Sequence, residues 1–159
     1  MQNWLILWWI QKKCARVSEK CARVAEIFGG MDESDDIVLL AIGEMPYAEF
    51  LGDTSDLSIT GEFGHEENQE AIEFAESLDK PVITLLVAGR NVIISDYVDN
   101  WDGLVMCYLP GSEGDGVASV LSGEVNFTGK LPMPYYKSVE DIGKEDATML
   151  YEFGYGLEY

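Results

Sequence analysis

Five carboxylates, Glu44, Glu49, Asp53, Asp56 and Glu62, fall within residues 43–64, set among glycine, proline and tyrosine. Carboxyl groups on a long loop can give up or take a proton at a bound substrate, which is general acid and base work. Their spacing does not select one of the five, because a chain with 29 acidic and 10 basic residues carries most of its carboxylates as solvated surface. His65 is the only histidine, so neither a Ser-His-Asp triad nor a histidine metal triad can be assembled from this chain. The stretch HEENQ lacks the second histidine of a zinc-protease helix. His65 is expected as an exposed loop residue. No glycine-rich phosphate loop occurs, and neither a cofactor nor a metal is implied.

The elements that would position these groups alternate in period. Ile37 to Ile42 (IVLLAI) is a continuous apolar run, the pattern of a strand buried on both faces. Glu66 to Leu78 has helical spacing, with Ala71, Ile72, Phe74, Ala75 and Leu78 inward. Pro81 then opens a second buried strand, Val82 to Val87. A third strand is expected over Leu104 to Tyr108, and a helix over Gly116 to Leu121 that stops at Gly123. Strands alternating with helices predict an α/β fold with a largely parallel sheet flanked by helices. In such sheets ligands meet the loops at the carboxyl ends of the strands. Those loops are Gly43 to Gly64, Ala88 to Asn91 and Leu109 to Asp115.

The first 36 residues read differently. Trp4 to Ile10 (WLILWWI) is apolar but seven residues long, where a membrane span needs about 20. A repeat, KCARVSE then KCARVAE, lays apolar residues along one face of an amphipathic helix that ends at Gly29 and Gly30. Basic residues concentrate there (Lys12, Lys13, Arg16, Lys20, Arg23), while the whole chain has a formal net charge of -19. So acidic a surface repels nucleic acid and anionic membranes. The three cysteines, Cys14, Cys21 and Cys107, are an odd number, are expected as free thiols and point to a reducing, cytoplasmic setting.

Four segments, GEMPYAEFLGDTSDLSI, PVITLLVAGR, YLPGSEGDGVASVLSGEVNFTGKLPMPYY and FGYGL, follow one another in this order. Together they resemble the C-terminal α/β sandwich domain of glycoside hydrolase family 3, the family of β-glucosidases and β-glucan exohydrolases. The resemblance covers residues 37–159 and leaves residues 1–36 as an atypical N-terminal strand and amphipathic helix. It implies a three-layer sandwich, truncated at its N-terminal edge.

In the branch of that family whose first loop reads G-E-x-P-Y-x-E, the last Glu is the catalytic acid/base, which the resemblance carries onto Glu49. A retaining glycosidase needs one carboxylic acid to protonate the departing oxygen and a second carboxylate about 5 to 5.5 Å away as nucleophile. In the family the second comes from a preceding barrel domain, and a barrel takes about 200 residues or more. The resemblance therefore implies the acid/base-supplying domain of a retaining β-glucosidase-type hydrolase, inactive alone, acting on a β-linked glucoside or oligosaccharide once a barrel completes it. The alternative is a non-catalytic module that binds a partner chain or a glycan, or associates with itself as a homo-oligomer. Among the matched positions, Arg90 is expected to pair with a loop carboxylate. Glu113 is expected to cap a helix start, and Tyr151 to Leu157 to form a closely packed terminal loop.

Overall fold

The computed structural model describes residues 37–48 and 51–158. The apolar run at Trp4 to Ile10, the heptad repeat, the glycine pair, Cys14, Cys21 and Glu49 all lie outside the described residues.

Strand β1 (Val38–Gly43) pairs in parallel with β2 (Val82–Val87), and β2 pairs in parallel with β3 (Gly103–Met106). The sheet order is β1-β2-β3, with Val38 opposite Val82 and Gly43 opposite Val87. These are the three expected strands in the expected α/β arrangement. β-branched and leucine-rich runs bury Val38, Leu40, Ile42, Val82, Leu85 and Leu86 in the core. β1 begins one residue later than the apolar run, because Ile37 is 48% exposed. β3 ends at Met106 rather than Tyr108. Cys107 still donates its N–H to the Leu86 carbonyl at 2.9 Å, but Tyr108 has φ +53°, a left-handed conformation that no extended strand contains.

Helix α1 (Asn68–Ser77) crosses from β1 to β2 and packs on β1 through Ala71, Ile72 and Ala75. It starts two residues after the expected position: Glu66 and Glu67 form the preceding turn, and the Asn68 N–H bonds the His65 carbonyl. Asp79, just past its end, adopts φ 51° and stops it in the place where a glycine is usual. Helix α2 (Gly114–Leu121) follows β3 and ends where expected, with Gly123 at φ +77°. A two-stranded antiparallel pair, β4 (Tyr135–Tyr136) with β5 (Met149–Tyr151), is not among the elements expected from the sequence. Two- and three-residue strands leave no readable period. Their buried anchor is Tyr135, which joins the core at 1% exposure.

Candidate functional site

All three parallel strands end at one edge of the sheet, and the three expected loops meet there. The meeting point is built on glycine. At Gly43, the last residue of β1, a Cβ would overlap the Val87 carbonyl oxygen, so only glycine lets β1 and β2 stay paired to their ends. The chain then enters the first loop at Glu44, held by the Val87 carbonyl at 3.1 Å and by an isolated bridge to Gly64.

Asn68 fixes this entry. It is 4% exposed, and its Nδ2 donates to the Gly43 carbonyl at 2.8 Å and to the Ile59 carbonyl at 2.7 Å. The start of α1 is thereby tied to the start and the middle of the loop. An asparagine at a helix start is common enough that its type alone does not mark it.

The five loop carboxylates have different fates. Glu44 is buried, its side chain 3% exposed, and Oε1 accepts from Arg90 Nε at 2.9 Å and Nη2 at 2.8 Å. Among the described residues its second oxygen, Oε2, is buried without a hydrogen-bond partner. Asp56 accepts from the backbone N–H groups of Ser58 at 3.1 Å and Glu62 at 2.9 Å, closing a tight turn. Glu62 accepts from the Thr54 hydroxyl at 2.9 Å. Asp53 is exposed. Glu49 lies outside the described residues.

The pairing expected of Arg90 is therefore present, with Glu44 as the partner. Arg90 also donates from Nη1 to the Gly52 carbonyl at 2.6 Å. Its guanidinium lies over the Tyr47 ring, 4.3 Å from the centroid, and 5.6 Å from that of Phe63. The two rings meet edge to face at 5.7 Å and 69°. Burial raises the pKa of the Tyr47 hydroxyl, the Glu44 carboxylate raises it further, and Arg90 opposes them. Tyr47 thus remains a neutral phenol around pH 7.

Loop two approaches this ring closely: a Cβ on Gly89 would stand 2.8 Å from the Tyr47 hydroxyl and 3.6 Å from Leu109 of loop three. Next to Leu109 is the left-handed Tyr108, whose hydroxyl is buried without a partner among the described residues. Strained backbone and unpaired buried polar atoms at one sheet edge are features that concentrate at functional sites.

His65 is half-buried rather than exposed, since its N–H closes back on the Gly43 carbonyl at 3.3 Å and draws it under the loop. Glu113 stands at the N-cap of α2 without a side-chain capping bond; its carboxylate accepts instead from the adjacent Ser112 hydroxyl at 3.3 Å, leaving only its charge near the helix start. Tyr151 packs against the core and its ring centroid lies 4.8 Å from that of Tyr155, but Phe153, Tyr155 and Leu157 are exposed, so the stretch from Tyr151 to Leu157 is not the closely packed loop expected: the turn at Gly154, with φ +80°, carries these side chains outward. Among the described residues no group of three or more histidine, cysteine or acidic side chains is placed to hold a metal ion, and no helix is long and apolar enough to cross a membrane.

The described residues thus form a parallel α/β sheet with an acidic, aromatic-lined loop at its carboxyl edge. The glycosyl hydrolase family 3 C-terminal domain matches residues 23–159, and the chain belongs to that family. It is 37% identical over 140 residues to a lysosomal beta glucosidase of Dictyostelium discoideum, covering 80% of this chain and 16% of that protein. It is 29% identical over 153 residues to a beta-xylosidase of Formosa agariphila, covering 84% of this chain and 20% of that one. Among solved structures it resembles the exo-1,3/1,4-beta-glucanase of a Pseudoalteromonas species, with TM-score 0.67 and 31% identity over 81% of this chain and 17% of that one. The β-glucosidase of Listeria innocua shares the fold with TM-score 0.70 at 23% identity, over 91% of this chain and 23% of its own. The chain therefore spans about one sixth to one quarter of the length of these proteins.

Proposed function

We propose that this chain supplies the acid/base half of a retaining β-glucosidase-type glycoside hydrolase and that it turns over little or no substrate alone. The observation that carries the reading is the family match to one domain of much longer glycosidases, together with a first loop, GEMPYAE, anchored at the sheet's carboxyl edge through Glu44 and Arg90. Glu49 is the acid/base in this reading. It protonates the departing glycosidic oxygen and then takes a proton from the incoming water. The nucleophilic carboxylate comes from a barrel domain. The substrates are β-linked glucosides or xylosides, the classes named by its relatives.

One observation keeps a docking role beside the catalytic one. Leu51 and Leu109, on the first and third loops, are 68% and 73% exposed, the kind of apolar surface that a partner domain or a second copy covers.

Turnover of an aryl β-glucoside separates these readings. The purified chain is expected to be inactive, to gain activity when mixed with a family 3 barrel domain, and to lose it again in Glu49→Gln. Undiminished activity of the Glu49→Gln mixture sinks the acid/base assignment, and a robust rate from the chain alone sinks the need for a barrel.

A further inference from the structure

Arg90 grips one loop at two places. Its Nε and Nη2 hold the carboxylate of Glu44, the first residue after β1, and its Nη1 holds the carbonyl of Gly52. Gly52 lies eight residues further along the chain than Glu44, a stretch that could extend roughly 26 to 29 Å. One planar guanidinium therefore closes what could be a wide, loose segment.

The closure is also packed. Tyr47, inside the segment, lies face-on beneath the guanidinium at 4.3 Å. The Leu51 N–H returns to the Tyr47 carbonyl at 3.2 Å. At Gly52 a Cβ would stand 2.7 Å from the Tyr47 ring, and at Gly89 one would stand 2.8 Å from its hydroxyl. Glycine at both positions lets the backbone of two loops lie against the same ring.

Stability alone does not account for this construction. A buried ion pair costs desolvation that its attraction only partly returns, and here Glu44 Oε2 is left without a partner among the described residues. What such a pair supplies is fixed geometry. Lysine could not reproduce it, because a point charge cannot direct three donors in a plane to two separate acceptors.

We infer that Arg90 is a positioning residue that sets where the segment between Glu44 and Gly52 sits relative to the sheet edge. In the sequence Glu49 lies between these two anchors, so on the reading proposed above Arg90 acts on the acid/base step through the loop it pins at Glu44 and Gly52. A misplacement of about 1 Å in such a group costs about a hundredfold in rate.

The first test is hydrogen exchange on the full chain, comparing wild type with Arg90→Met, Arg90→Lys and Glu44→Gln. Peptides covering residues 44–52 are expected to exchange about tenfold faster in Arg90→Met, with β1 and β2 still protected and Arg90→Lys in between. Should Arg90→Met also expose the strands, Arg90→Lys and Glu44→Gln decide, and an unchanged loop over a protected core in both overturns the inference. The second test mixes each variant with a family 3 barrel domain. In kcat/KM, which reports the glycosylation step alone, phenyl β-glucoside, whose leaving group needs a proton, is expected to lose about a hundredfold in Arg90→Met, and a 2,4-dinitrophenyl glucoside less than tenfold. Equal losses on both substrates mean that Arg90 does not place the acid. If the wild-type mixture is silent, the glycosidase reading fails, and the exchange experiment still decides what Arg90 does to the loop.

Discussion

A carboxylate buried to 3% exposure needs a partner, and Glu44 has one in Arg90; a carbonyl at the end of a buried strand needs a donor, and Gly43 has one in Asn68. The two contacts secure adjacent residues by different means, one ionic and one neutral. Asn68→Ala removes both Nδ2 bonds and leaves the Ile59 and Gly43 carbonyls short of a donor. Each buried group so deprived costs roughly 1 to 3 kcal/mol, and since Gly43 keeps the His65 N–H, we expect a total of about 2 to 3 kcal/mol. Urea unfolding monitored by tryptophan fluorescence measures it. A midpoint unchanged from wild type contradicts the role assigned to Asn68.

Among the elements, α1 depends on one face. Ile72 is 1% exposed and Ala71 and Ala75 pack with it beside β1, whereas Glu73 on the opposite side is exposed and only accepts from Gln69 Nε2 at 2.6 Å. Ile72→Ala is expected to cost about 2 to 4 kcal/mol. Glu73→Ala should cost no more than about 0.5 kcal/mol, the range of a helix i,i+4 pair. Equal losses in the two variants mean that the helix is not seated as described. At the end of β1, Gly43→Ala drives a methyl into the Val87 carbonyl and parts the strands where the site begins. We expect it to yield no folded protein at 37 °C, scored by circular dichroism and soluble yield.

Across the whole molecule, burial raises the pKa of Cys107 to about 11 and raises those of Tyr47, Tyr108, Tyr135 and Tyr151 above the ordinary value of 10.0. In each case the neutral form is favoured in the fold. Between roughly pH 9 and pH 11 the unfolded chain has lost protons that the folded chain retains, so stability falls as pH rises through that window. Below it this contribution is fully present. The urea midpoint is expected to fall steadily from pH 8.5 to 10.5, and Cys107→Ala should flatten the early part of the decline. A midpoint constant over that range would contradict the burial of these groups.

Much of this is legible in the chain itself. Continuous apolar runs identify β1 and β2 because a strand covered on both faces leaves no polar alternation. Helical spacing identifies α1 because only one side of it is wet. The ordered motifs identify the family, and arginine chemistry predicts that Arg90 pairs with a carboxylate. The partner, however, is one of several acidic residues of the same loop, and nothing in their spacing distinguishes the one that turns inward. Asn68, Tyr47 and Gly52 carry no local signal either, since each acts through a residue distant in the chain, and β4–β5 is too short to show a period. Local sequence determined the elements and the family of this protein because those depend on near-neighbour patterns. Only the tertiary structure decided which carboxylate is buried, and that one arginine closes the loop from both ends, because those choices depend on where the first and second loops meet in space.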